Sequence, residues 1–242
     1  MTRTTEAPAL PHCAMTHTGH LRKINEDAIL ARPELGLWVV SDGMGGHAAG
    51  DFASRTVIAM LEALPADLPP AQIPRAARDA LHHAHAGIRA EGDRLGQGTI
   101  GATVVLLVIA EGHFMCLWAG DSRLYRLRDG QIEMISADHS VVGELVEQGY
   151  LDWDEAEHHP HANQITRAVG VGETLEIDKR RGEVRPGDRF LLCSDGLTKY
   201  ARAETLRQQV DGVPLECAGE TLMQTALDGG GADNVSLIVV EA

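Results

Sequence analysis

An α+β fold, with helices layered over a largely antiparallel sheet system, is predicted by three observations. Short apolar runs rich in β-branched residues recur along the chain, tight turns join several of them, and four longer segments carry a helical apolar period. Connections as short as LRDGQ and AEGH favour antiparallel hairpins over βαβ crossovers, since parallel neighbours need a dozen or more linking residues. With 242 residues, 44% of them hydrophobic, the chain can bury a substantial core as one domain.

Taken in order, residues 1–11 hold two prolines and no periodicity, and are expected to form a mobile arm ahead of a domain spanning 12–242. Strand-like runs follow at about 24–31, 35–41, 102–110, 113–119, 123–128, 131–136, 189–194 and 235–241. Helical spacing is clearest at 48–63, 73–92, 139–149 and 214–228. The prolines of PADLPPAQIP stop the first helix before the second begins. Residues 150–170 show no clean period and read as a long excursion, DKRRG at 178–182 as a solvated turn, and GGGAD at 229–233 as a flexible one. There is no internal repeat.

Charge narrows the function. A net charge of -14, from 35 acids against 21 bases, disfavours nucleic acid and anionic membrane, which are bound through a basic face. The longest apolar run, TVVLLVIA at 103–110, is far short of the roughly 20 residues that span a bilayer, and the N-terminus has no apolar leader. Four cysteines form no CxxC pair, and Cys116 and Cys193 lie inside apolar runs, which suits a reducing, cytoplasmic setting.

The informative pattern is a repeated placement of acids. VVSDG at 39–43, WAGDSR at 118–123 and LLCSDG at 191–196 each bring an apolar strand to Ser or Gly, then Asp, then a small residue. GGADNVSLIVV reverses the device, putting Asp233 and Asn234 just ahead of a strand, and RKINEDA adds Glu26 and Asp27 near Arg22. One Asp-Gly after a strand is an ordinary turn. Several carboxylates delivered to one sheet edge repel one another unless cations hold them, and hard divalent ions suit an all-oxygen site.

RKINED, DGMGGH, GAT, GDSR, SDG and DN, in this order from residue 22 to 234, resemble the metal-dependent PPM (type 2C) serine/threonine protein phosphatases of the single-domain bacterial branch. The resemblance implies a four-layer αββα sandwich, two antiparallel sheets flanked by helices, with Mn²⁺ or Mg²⁺, two or three ions, at one sheet edge. It also implies a flap at about 143–168. Carried over residue by residue, Asp42 bridges two metals, Gly43 adds its carbonyl, Asp195 and Asp233 complete the second site, and Asp121 with Asp195 holds a third ion. Glu26 and Asp27 order metal-bound water, Asn234 supports Asp233, and Arg22 grips the substrate phosphate. The implied reaction is hydrolysis of phosphoserine and phosphothreonine by a metal-bridging hydroxide, without a phosphoenzyme. Implied partners are phosphoprotein substrates and a Hanks-type serine/threonine kinase, with a monomeric enzyme and a type VI secretion setting for one subgroup. A catalytically inactive phosphoprotein-binding regulator of the same fold is the alternative.

One position departs from the eukaryotic pattern: Met44 stands where those members have a proton-donating histidine. His47 is the candidate general acid, the alternative being a residue that caps or packs against the helix beginning there. Other chemistries fit less well. GMGGHA outlines a dinucleotide loop, but Asp42 would oppose a pyrophosphate and the following region is helical where a strand is needed. Ser122 in GDSR has no Asp-x-x-His partner near the C-terminus, Cys116 and Arg123 are one residue too far apart for a cysteine phosphatase loop, and His82 with His85 is a thin basis for zinc.

Overall fold

The computed structural model describes residues 10–45, 49–96, 99–157, 159–162 and 164–242. Two antiparallel sheets face each other. The first contains β1 (His12–His17), β7 (Arg123–Arg128), β8 (Gln131–Met134), β10 (Arg189–Cys193) and β11 (Val235–Glu241), in the order β1-β11-β10-β7-β8. The second contains β2 (Asp27–Arg32), β3 (Leu37–Met44), β5 (Val104–Ala110), β6 (His113–Ala119) and β9 (Asp178–Glu183), in the order β2-β3-β5-β6-β9, with the two-residue β4 (Gly101–Ala102) beside β3.

Period-2 alternation builds the layers. In β3, Trp38 and Val40 enter the space between the sheets, while Leu37 and Val39 point to the opposite face. That face is covered by α1 (Ala49–Glu62) and α2 (Ile73–Leu95), through Val57, Leu61, Leu81 and Ile88. Likewise Phe190 and Leu192 of β10 face inward, and Leu191 and Cys193 face outward. There α5 (Asp195–Thr198), α6 (Ala203–Val210) and α7 (Leu215–Asp228) cover the sheet with Leu197, Leu206 and Leu222. The result is the expected αββα sandwich, its inter-sheet core centred on Trp38, Phe114, Phe190 and Leu192.

Two short helices, α3 (Val141–Glu147) and α4 (Trp153–Glu157), form the excursion that leaves the sandwich after β8 and returns before β9. Its neck is zippered by Val141 N–H donating to Gln164 O and Thr166 N–H donating to His139 O. The solvated turn expected at 178–182 is instead strand β9, paired along its length with β6 from His113↔Glu183 to Trp118↔Asp178. Its side chains are mostly exposed, so the ladder rather than a buried face holds it as an edge strand. β1, also absent from the expected strands, pairs with β11 as the other sheet's edge. Among the described residues, no helix is long and apolar enough to cross a membrane.

Candidate metal centre and active site

Topology brings the acids to one end of both sheets. Asp42 lies near the end of β3 and Asp27 at the start of β2, and the antiparallel register sets them directly opposite. Like charges facing across a ladder destabilise it, so another interaction must hold this pair. Asp195 follows β10, Asp233 precedes β11, and Asp121 lies between β6 and β7. The turn at Gly120, with φ of +116°, brings Asp121 in; a Cβ on Gly120 would lie 2.6 Å from Thr103 Cβ.

Neutral groups hold these acids in place. Asp42 N–H donates to Thr103 Oγ1 (3.0 Å), Thr103 N–H donates back to Asp42 O (2.8 Å), and Thr103 Oγ1 lies 2.7 Å from Ser122 Oγ. Thr103 thus joins the loops of Asp42 and Asp121. Ser194 Oγ donates to Asp27 Oδ2 (2.8 Å) and accepts from Ser236 N–H. Asn234 braces the segment carrying Arg22: its Nδ2 donates to Thr18 O and Ile24 O, and its Oδ1 accepts from Glu26 N–H. Only its backbone N–H reaches Asp233 Oδ1, so its carboxamide serves the Arg22 loop rather than Asp233.

Gly43 and Gly50 let the first turn of α1 press on β3. A Cβ on Gly43 would fall 2.0 Å from Gly50 O, and one on Gly50 would meet Glu26 Oε1 at 2.6 Å and Gly43 O at 2.8 Å. The Glu26 carboxylate and the Gly43 carbonyl therefore converge beside Gly50.

Two organic cations reach this edge. Lys199 Nζ bridges Asp195 Oδ2 (2.8 Å) and Asp233 Oδ2 (2.9 Å), and Arg22 Nη2 lies 2.9 Å from Asp233 Oδ1. Against the upward push of burial, Lys199 and Arg22 hold the Asp233 carboxyl below its usual range. Among the described residues, neither cation pairs with Asp27, Asp42 or Asp121. Burial, reinforced by neighbouring acids, raises Asp27 to about 7 and Asp121 to about 8, and lifts Asp42 well above the carboxylate range.

Among the described residues no three His, Cys, Asp or Glu side chains close around a common point in this arrangement, in which Lys199 draws Asp195 and Asp233 to itself. The donor set nevertheless fits divalent ions. Glu26 Oε1, Asp27 Oδ1, Asp121 Oδ1 and Asp195 Oδ1 are buried without a hydrogen-bond partner, and all are hard oxygens. Leaving a buried charge unpaired costs several kcal/mol, more than the hydroxyl and amide contacts around these acids return.

A cavity of about 250 Å³ opens beside Asp121 and Asp195, walled by Arg123, Val142, Trp153 and Lys199. Arg123 stacks 4.4 Å above the Trp153 ring and chelates Asp138, tying the excursion to the strand after Asp121. Other candidates fall away. Cys116 and Cys193 are buried, and burial pushes the Cys193 thiol up to about 12, far from a nucleophilic thiolate. His85 is a buried helix residue whose Nδ1 accepts from Gly170 N–H. His47 lies outside the described residues.

Sequence reasoning missed Lys199 and Gly50, and gave Thr103, the last residue of GAT, no role of its own. Lys199 had a local signal, its i,i+4 spacing from Asp195 on α5. Thr103 and Gly50 act through contacts that only the folded chain creates.

A family model for protein phosphatase 2C matches residues 18–229. PstP of Mycobacterium tuberculosis is 36% identical over 236 residues, covering 96% of this chain and 45% of PstP; this chain therefore spans about half the length of that relative. PhpP of Streptococcus pneumoniae is 30% identical over 237 residues, covering 93% of this chain and 95% of PhpP. Among solved structures, PppA, described as a key regulatory component of T6SS in Pseudomonas aeruginosa, superposes with a TM-score of 0.89 at 44% identity, covering 96% and 97% of the two chains. The catalytic domain of PstP in complex with two manganese ions superposes with a TM-score of 0.87 at 34% identity, over 96% and 97%. With the matched model spanning most of the sandwich and the acids from Glu26 to Asp195, the chain belongs to the protein phosphatase 2C family.

Proposed function

We propose that this protein is a metal-dependent phosphatase acting on phosphoserine and phosphothreonine in proteins. The observation that carries this reading is the row of buried carboxylates at one sheet edge, four of whose acids keep an unpartnered oxygen. On this reading Asp42, with the Gly43 carbonyl, Asp195 and Asp233, holds two Mn²⁺ or Mg²⁺ ions, and Asp121 with Asp195 holds a third. When bound, the ions supply an activated water and neutralise charge on the phosphoryl oxygens.

The chain's own groups do the rest. Arg22, on a half-exposed side chain, pairs with Asp233 by one edge of its guanidinium, and that planar fork suits a phosphate bidentately. Ser194 fixes one Asp27 oxygen and leaves the other free to orient water. Thr103 keeps the Asp42 and Asp121 loops in register. Met44 has no proton to give, so the leaving alkoxide takes one from water or from His47.

The acids' full complement argues against a non-catalytic regulator. The likeness to PppA and PhpP supports a bacterial phosphosignalling role, opposing a serine/threonine kinase and, as for PppA, beside type VI secretion; a monomer in the cytoplasm is part of the same reading. Hydrolysis of p-nitrophenyl phosphate and of a phosphothreonine peptide, assayed with EDTA and again after adding Mn²⁺ or Mg²⁺, tests it. The expected result is loss with EDTA and recovery with metal. Full turnover after exhaustive chelation, or none at any metal concentration, contradicts it.

A further inference from the structure

His139 makes more connections around the active-site edge than its place outside it suggests. It is 6% exposed and sits at the base of the 141–164 excursion, immediately before Ser140, whose Oγ caps α3. Its backbone N–H donates to Gly120 O (2.9 Å), and the Gly120 N–H donates to its ring Nδ1 (3.2 Å). Both polar groups of Gly120 are thus held by this one residue. Its carbonyl accepts from Thr166 N–H (2.8 Å) on the returning limb, and its Nε2 lies 3.1 Å from Asp178 Oδ2 at the start of β9.

These contacts fix the chemistry of the ring. Gly120 N–H is a donor, so Nδ1 must accept, and the ring proton must sit on Nε2, facing Asp178. Burial pushes the imidazole down, which suits this neutral tautomer, and Trp118 stacks on the ring at 6.0 Å between centroids. Arg167, beside Asp178 at 3.4 Å, fixes the carboxylate from the other side.

Gly120 is the residue whose left-handed turn delivers Asp121, and the space on its other side is filled by Thr103. A shift of His139 therefore moves the Asp121 carboxylate, while a shift of the excursion moves His139 through its neck. We infer that His139 is a positioning residue for Asp121, and the joint that makes the excursion and the acidic edge move as one body. The inference rests on the metal-holding role proposed for Asp121. It assigns the excursion a mechanical link to ion binding at that acid, beyond its place beside the cavity.

Three variants separate the outcomes: His139→Leu, which removes both ring nitrogens, His139→Asn, whose Oδ1 can still accept from Gly120 N–H, and Asp121→Ala as reference. Each is examined by Mn²⁺ titration calorimetry and by amide hydrogen exchange at Gly120, Val141 and Thr166, with Mn²⁺ and with EDTA. In the unaltered protein, Mn²⁺ should slow exchange at all three amides. His139→Leu should weaken the Asp121-dependent binding step about tenfold, as loss of a group orienting a ligand does, and abolish the slowing at Val141 and Thr166. His139→Asn should restore most of both.

The inference is overturned if His139→Leu binds Mn²⁺ and protects these amides like the unaltered protein. It is equally overturned if Leu and Asn variants lose the same amount in step with a fall in melting temperature, since the ring would then serve packing alone. Should Asp121→Ala leave Mn²⁺ binding unchanged, the metal role of Asp121 fails. The joint is then judged in EDTA alone, where His139→Leu must still speed exchange at Gly120 and the two neck amides together, and unchanged exchange there overturns it.

Discussion

Asp121 and Asp188 make an instructive pair. Each immediately precedes or nearly precedes a strand, β7 for one and β10 for the other, and both are buried, at 8% and 1% exposure. The two strands are antiparallel neighbours, so these acids stand at opposite ends of one sheet. Asp188 is met by Arg128, whose Nε donates at 2.6 Å and Nη2 at 2.5 Å, and by Arg185 N–H at 2.8 Å. Against the upward push of burial, these donors hold its carboxyl below the usual range. Asp121 has Asp195 and Asp138 among its neighbours, an unpartnered Oδ1, and a carboxyl raised to about 8, chiefly by burial. The fold can therefore satisfy a buried carboxylate by chelating it with a guanidinium, whereas beside Asp121 the neighbouring guanidinium, Arg123, chelates Asp138 instead. Such unspent proton affinity marks a functional edge more reliably than acidity alone does.

Substitution at the two ends should fail in different ways. Asp42→Asn is expected to lower kcat about a thousandfold with the melting transition retained, since it removes the carboxylate proposed to hold the ions and no structural pair. Asp188→Ala should do the reverse, destabilising the fold by about 3 kcal/mol by stranding Arg128, with turnover per folded molecule unchanged. Steady-state kinetics and thermal melts on both variants check the split, and the contrast is lost if either variant shows the other's phenotype.

Proton linkage sharpens it. Asp27 and Asp121, raised to about 7 and about 8 from 3.8, bind protons more tightly in the folded chain than in the unfolded one. Their stabilisation is fully present below about pH 4 and is lost as pH rises through about 8, because the unfolded state binds fewer protons across that window. Asp188, held low, acts oppositely and loses its contribution only as pH falls below the ordinary carboxylate range. Melting temperature in EDTA should therefore decline from mildly acidic to mildly alkaline pH, and Mn²⁺ should remove the decline. A rise in EDTA over the same range would contradict the electrostatic account.

The smallest effect concerns the tethered cation. Lys199→Met should cost the chelated protein about 1 kcal/mol, a partly exposed ion pair's scale, while tightening Mn²⁺ binding, because Asp195 and Asp233 are then freed from Nζ. Weaker Mn²⁺ binding in this variant would make Lys199 a supporter of the ions rather than their competitor.

How much of this was legible beforehand follows the same divide between local and non-local cause. Val104–Ala110 and Arg189–Cys193 announce themselves because their apolar residues repay burial wherever the strands pair. Asp178–Glu183 does not, since both its faces are largely solvated and only its hydrogen bonds to β6 make it a strand. The acids at 42, 121, 195 and 233 are legible because each sits beside a strand in a repeated local pattern. Thr103, Gly50 and His139 carry no such pattern: their roles arise from contacts across 61, 7 and 19 residues of chain, to Asp42, Gly43 and Gly120. Asn234 is expected to support its neighbour Asp233, and its backbone N–H does reach it, yet the hydrogen bonds of its carboxamide run more than 200 residues back to Thr18, Ile24 and Glu26.

The most direct test of the central claim, that protons and divalent ions compete for the same acidic edge, is calorimetric titration of Mn²⁺ into the EDTA-stripped, dialysed protein at pH 7 in two buffers of different ionisation enthalpy. The account predicts binding whose heat differs between the buffers by the equivalent of about one proton released, as Asp121 and its buried neighbours exchange protons for metal. Binding with identical heats in both buffers, or no binding, would contradict it.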